Sequence, residues 1–273
     1  MIKITKISVQ KRSKERYNIF VDRGNGEEYG FSVDADILIK LGLKKGLELD
    51  EEELTEILDK DEEKKTHHLA IHFLSYRMRS ITEMTDYLKK KEREQKHIEV
   101  VLSKLIEQNL LNDEMFAKAY IESKKLTLMK GPLKLKQELN QKGVGREQID
   151  LALATFTEEE QIDKVIKWLD KQGNRKPKQS VSAFKQKLAT QLMGKGFTRA
   201  VIETALNEVS FEVEPSEEWE ALTFQAEKLE RKYRSKYEGW QYKQRMKQAL
   251  YQKGFSVEMI TSYLSKSDDG ELE

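Results

Sequence analysis

The sequence predicts a mainly α chain: tandem three-helix repeats stacked into an elongated curved array, preceded by a small N-terminal α+β module. Three observations lead there. One fifteen-residue pattern occurs four times. Strict apolar alternation is confined to the first 60 residues. The chain also combines 36% charged with 38% hydrophobic residues and only 3 Pro, the balance of helical units that bury one face and solvate the other.

The pattern reads LNQKGVGREQIDLAL at residues 139–153, LMGKGFTRAVIETAL at 192–206 and LYQKGFSVEMITSYL at 250–264, with a worn copy, LKKKEREQKHIEVVL, at 88–102. The anchors Leu88, Leu139, Leu192 and Leu250 lie 51, 53 and 58 residues apart. In each copy Lys follows three residues on, Ile ten on and Leu fourteen on, and an apolar residue (Met84, Leu135, Leu188, Met246) precedes by four. A fixed period of this size marks stacked supersecondary units. Each copy reads as helix, stop, helix. Gly143, Gly196 and Gly254 supply the left-handed residue that closes a helix. Gly145, Thr198 and Ser256 then cap the next one. The first copy has Glu92 where the glycine belongs, which leaves its helix end less defined. A longer helix precedes each pair, so the expected divisions are an α+β module at 1–60 and repeats at 61–111, 112–156, 157–210 and 211–273.

In chain order, residues 2–9 form a first strand with a phase slip between Ile4 and Ile7 that suggests a bulge. Tyr17, Ile19 and Val21 alternate, as do Tyr29, Phe31 and Val33, across the hairpin turn Gly24-Asn25-Gly26. Asp34 caps a short helix through Ile37, Leu38 and Leu41, stopped at Gly42. Leu47 and Leu49 form a brief strand, and Asp50 with Glu53 makes a capping box for a helix that continues as the charged stretch 59–65. His68, Ala70, Ile71, Leu74 and Met78 open the first repeat, whose second helix is capped by Ser80 with Glu83. The second repeat starts at Asn112-Asp113, buries Phe116, Ala119 and Tyr120, and breaks at Lys130-Gly131-Pro132. The third starts near Thr157 and contains the loop 173–180, the expected flexible point. The fourth opens at Glu214-Pro215-Ser216, and residues 265–273 read as a disordered acidic tail. Trp168, Trp219 and Trp240 are expected to fill gaps between helices.

Chemistry is sparse. No phosphate loop or HExxH occurs, no cofactor is implied, and His68 with His72 at i, i+4 is two imidazoles rather than a metal site. No carboxylate sits in a setting that suggests acid–base work, so the chain does not read as an enzyme. The lack of Cys excludes disulfides and suits a reducing cytoplasm. No apolar run is long enough to cross a bilayer. The net charge is +1, spread as −2, +1, +2, +3 and −3 over the five divisions. That is weaker than a high-affinity binder of naked DNA usually shows.

The cations nevertheless recur in register. Lys91, Lys142, Lys195 and Lys253 hold one position, and Lys134, Lys187 and Arg245 stand five residues before the anchor, with Glu83 in the first repeat. Any single lysine is explained by the helix dipole. The row is better explained as a discontinuous basic stripe suited to a periodic acidic partner.

LSYRMRSITEM at 74–84, LNDEMFAKAYIESK at 111–124, KGPLKLKQELNQKGV at 130–144 and the KGF turns together resemble the RecX family, over residues 66–264. The N-terminal module resembles that of the long Gram-positive form. Ile81 after Arg-x-Arg-Ser, and Glu92, depart from the family pattern. The resemblance implies a non-enzymatic, modular helical protein, monomeric, that lies in the groove of the RecA–single-stranded DNA filament. It would limit RecA's ATPase, strand exchange and co-protease action in the SOS response, with some affinity for single-stranded DNA and weaker affinity for double-stranded DNA. The expected partner-binding cations are Arg77, Arg79, Lys91, Lys134, Lys136, Lys142, Lys185, Lys187, Lys195 and Arg245. Two other readings stand beside this one. In the first, a nucleic-acid-binding protein acts on recombination through the DNA. In the second, a scaffold binds another protein through its Trp-bearing fourth repeat.

Overall fold

The computed structural model describes residues 1–11, 13–173, 178–211 and 214–269. The chain divides into two compact units. One comprises Met1–Ala117 with Gln141–Gln148, the other Lys118–Asn140 with Ile149–Glu273.

The first unit begins with a four-stranded antiparallel sheet in the order β3-β2-β1-β4, with β1 at Ile2–Gln10, β2 at Ser13–Asp22, β3 at Glu27–Asp34 and β4 at Glu48–Leu49. The slip in β1 is a register shift between Ile4 and Lys6. A second shift, which the alternation does not show, lies between β2 and β3: Ile19 pairs with Phe31 but Phe20 pairs with Tyr29, so Gly30 is the extra residue. The alternation therefore breaks at Gly30, and Tyr29 leaves the buried face that Phe31 and Val33 occupy. It is 57% exposed and meets Phe20 edge-on at 6.0 Å. Gly24 and Gly26 turn the hairpin at positive φ, both amides donating to Asp22 Oδ1.

Ile4, Ile19, Val21, Phe31 and Val33 pack under α1 (Ala35–Lys40) and the start of α2 (Glu51–Leu74). Asp34 and the Asp50–Glu53 capping box start these helices as the side-chain chemistry requires. Helix α2 runs unbroken through the charged stretch because Asp61, buried on its inner side, is satisfied there. It accepts from Arg16 at 2.7 Å, from the Asp34 amide at 2.9 Å, and pairs with Lys65 at 3.0 Å. Burial alone would raise the Asp61 pKa; these three partners outweigh it and hold it below the usual value.

The first repeat closes with α3 (Ile81–Lys90) and α4 (Gln95–Glu107) around Ala70, Met84, Leu88, Ile98 and Leu105. Ile71 and Met78 are exposed rather than packed, because α2 ends at Leu74 and turns Ala70, Phe73 and Leu74 inward. The remaining helices are α5 (Asp113–Thr127), α6 (Pro132–Gln141), α7 (Arg146–Leu153), α8 (Glu158–Gly173), α9 (Val181–Gly194), α10 (Arg199–Glu208), α11 (Pro215–Tyr233), α12 (Gly239–Gln252) and α13 (Val257–Asp269). On α5 the buried residues are Phe116, Ala117 and Ile121, while Ala119 is exposed: the apolar face lies one step round from the expected one. Helix α13 continues to Asp269, so residues 265–269 are helical rather than a disordered tail; 270–273 lie outside the described residues. Residues 174–177 of the loop at 173–180 expected to flex also lie outside them. No described helix is long and apolar enough to cross a membrane.

Candidate partner interface

The glycine turns do more than end helices. In each of three repeats the turn after the second helix seats on the start of the second helix of the repeat before. The Ser80 hydroxyl donates to the Lys142 carbonyl at 2.6 Å. The Gly131 amide donates to the Lys195 carbonyl at 2.8 Å, and the Leu133 amide to the Gly196 carbonyl at 3.0 Å. The Ser180 hydroxyl donates to the Lys253 carbonyl at 2.5 Å. The recurrent lysine thus contributes its backbone carbonyl to a joint. Gly143, Gly196 and Gly254 take φ of +73°, +91° and +85°, and a Cβ on any of them would fall 2.0, 2.4 or 2.7 Å from the facing residue. Glu92 takes the same left-handed conformation at φ 57°. It needs no glycine because it is exposed, with no hydrogen bond or ion pair engaging its side chain among the described residues.

Four of the ten predicted cations gather near the first joint. Glu83, on α3, receives Arg77 at 3.0 and 3.1 Å and Lys142 at 2.5 Å. Burial pushes its carboxyl up, but the two cations prevail and hold its pKa at about 2. Arg79 lays its guanidinium 3.8 Å over Phe73, Phe73 stacks on Tyr87 at 3.9 Å and 7°, and Lys91 reaches Tyr87 at 5.8 Å. Two rings are thus capped by a cation on either side. Burial and neighbouring Arg77 lower the Arg79 pKa from the usual guanidinium value.

In the second unit Lys134 abuts Gly196 through its backbone and donates to Gln137 at 3.1 Å, so it shares a joint with Lys195. Lys136 pairs with Asp150 at 2.6 Å. Lys185 lies 5.0 Å from the Phe211 ring. Lys187 is exposed, with no ion pair or hydrogen bond among the described residues. Arg245, on α12, lies 5.5 Å from the Tyr237 ring. Trp240, expected between helices, is instead 74% exposed. The buried stripe of α12 is Met246 and Leu250, and Trp240 stands about 120° round from it.

Metal-ligating groups converge at Asp59, Glu94 and His97. Lys96 pairs with both carboxylates, and its hydrogen bond to Asp59 is the main cause that lowers that carboxyl's pKa. The ammonium already supplies the positive charge a metal would bring. His97 is buried and bonded to Asp59 at 2.9 Å, a structural role that nothing in the sequence signalled. His68 lies 4.0 Å from Asp34, and His72 meets Tyr76 edge-on at 5.2 Å.

A small α+β module followed by three-helix units, joined turn to helix through glycine, defines a modular helical-repeat protein. The comparisons place it more closely. The model of the regulatory protein RecX N-terminal domain matches residues 2–50, and those of the first, second and third three-helix domains of RecX match 67–105, 112–153 and 216–264. The chain is 54% identical over 262 residues to "Regulatory protein RecX" of Halalkalibacterium halodurans, covering 96% of this chain and 98% of that one. It is 44% identical to the protein of the same name from Bacillus cytotoxicus, covering 99% and 100%. The crystal structure of a regulatory protein RecX superposes with a TM-score of 0.65 at 36% identity, covering 76% of this chain and all of that one. RecX from Lactobacillus salivarius gives 0.53 at 30%, covering 55% and 97%. The chain belongs to the RecX family of regulatory proteins.

Proposed function

We propose that this protein is a non-enzymatic regulator that binds in the groove of the RecA–single-stranded DNA filament. There it restrains RecA's ATPase, strand exchange and co-protease action in recombinational repair and the SOS response. Family membership supports the regulatory role. The observation that carries the filament reading is recurrence: the same lysine-bearing joint is built three times, at Lys142, Lys195 and Lys253. A filament presents one protomer after another, so equivalent contacts made at successive repeats add through effective concentration. Lys134, Lys185, Lys187 and Lys195 are the cations left most available for such contacts. Lys142 is committed to Glu83, and Lys136 to Asp150. The proposed partners are RecA and single-stranded DNA, with double-stranded DNA weaker.

The test is single-stranded-DNA-dependent RecA ATPase with the double variant Lys134→Glu/Lys187→Glu. Both side chains are clear of ion pairs, so melting should match the wild type while inhibition is lost. Inhibition equal to wild type would remove these lysines, and the stripe, from the account.

A further inference from the structure

Helix α12 is a helix without acid. Its sequence GWQYKQRMKQALYQ holds Lys243, Arg245, Lys247 and the spaced glutamines Gln241, Gln244, Gln248 and Gln252 but no Asp or Glu, in a chain whose acids nearly equal its bases, 48 against 49. Met246 and Leu250 pack inward. Away from them, Trp240 and Tyr251 stand 74% and 62% exposed. They line one open hollow of about 720 Å³ together with Tyr237, Gln244, Arg245 and Lys247, and among the described residues no carboxylate lines it. Neither Arg245 nor Lys247 is ion-paired among the described residues. From Trp240 to Tyr251 the face runs about 16 Å along the helix.

Folding does not account for this surface, because the described residues leave most of both rings uncovered. An apolar partner would not call for an acid-free rim, and an acidic peptide would use the cations but not flat, widely spaced aromatic faces. A single nucleic-acid strand uses all three chemistries: bases stack on rings, phosphates meet Arg and Lys, and base edges meet side-chain amides. A duplex keeps its base faces hidden. We propose that the α12 face is a stacking site for a single-stranded nucleic acid. Trp240 and Tyr251 take bases, and Arg245 and Lys247 take the phosphates beside them. The inference rests on the proposed affinity for single-stranded DNA and gives it a location; its test needs no recombinase, so its failure is distinguishable from failure of the filament reading.

The experiment titrates the full chain with a labelled oligothymidylate and with an abasic strand of the same length. Strand anisotropy and tryptophan emission are followed together. The wild type should prefer the base-bearing strand and lose emission on binding. Trp240→Ala with Tyr251→Ala should weaken that strand by about five- to a hundredfold per stacked base and leave the abasic strand little changed. Trp240→Phe, which keeps a ring, should retain most of the affinity while the emission change disappears. Two results would overturn the proposal. One is equal affinity for the two strands with unchanged emission. The other is a double variant that keeps full strand affinity but no longer acts on RecA, which would make the face a protein contact.

Discussion

Replacing Gly196 with Ala tests the joint. Gly196 sits at φ +91°, and its added Cβ would lie 2.4 Å from the Lys134 backbone nitrogen and 2.6 Å from the Lys134 Cβ. A backbone atom cannot swing aside, so the turn must lift by about 1 Å to reach ordinary contact. Lifting it stretches the Gly131–Lys195 and Leu133–Gly196 hydrogen bonds, each worth about 1 kcal/mol net. Left-handed strain on alanine adds about 1–2 kcal/mol. The expected loss is about 3–4 kcal/mol, a fall of roughly 1 M or more in urea midpoint. The local readout is hydrogen exchange at the Gly131 and Leu133 amides, which should lose protection before the rest of the second unit. Glu92→Gly is the control: the same left-handed turn at φ 57°, exposed, so glycine should stabilise by up to about 1 kcal/mol. A loss below about 1 kcal/mol for Gly196→Ala, with both amides still protected, would refute the docking.

Two further predictions concern the other joints. Glu83 has its pKa at about 2 in the fold against 4.5 ordinarily, so its pairs with Arg77 and Lys142 stabilise fully above about pH 4.5 and fade as pH falls through about 2. Glu83→Gln should therefore cost about 2–3 kcal/mol at neutral pH. In acid titrations followed by circular dichroism, the gap from wild type should close between those two values; a gap independent of pH contradicts it. Ser180 caps α9 by accepting from the Ala183 amide while its hydroxyl donates to Lys253. Ser180→Ala should cost about 2–3 kcal/mol, against less than about 1 kcal/mol for the exposed cap Ser256→Ala, and equal losses in urea unfolding would contradict the joint there.

What could be read in advance was local. The positive φ of Gly143, Gly196 and Gly254, the boxes at Asp50–Glu53 and Ser80–Glu83 and the proline start of α6 follow from side-chain rules within a few residues. The seating of each turn on an earlier helix is tertiary and has no sequence period of its own. One trace was present: Gly131 replaces the serine found at Ser80 and Ser180, because a Cβ there would lie 2.4 Å from Gly196. The bulge at Gly30 was hidden because Tyr29, Phe31 and Val33 satisfy alternation on paper. For the site, the recurrence of cations was legible, but their availability was not. Lys142 and Lys136 look like Lys187 in sequence, and only the fold brings Glu83 and Asp150 to the first two. Trp240 is expected to fill a gap between helices, yet the stripe set by Met246 and Leu250 turns it outward.

The most direct measurement of the central claim is RecA ATPase on single-stranded DNA, using RecA from the same source and this protein at amounts well below RecA. Regulation through the filament predicts strong inhibition at a low ratio, since masking the DNA would take far more protein. Inhibition that begins only when the protein is sufficient to coat the DNA, or none at any ratio, would contradict it.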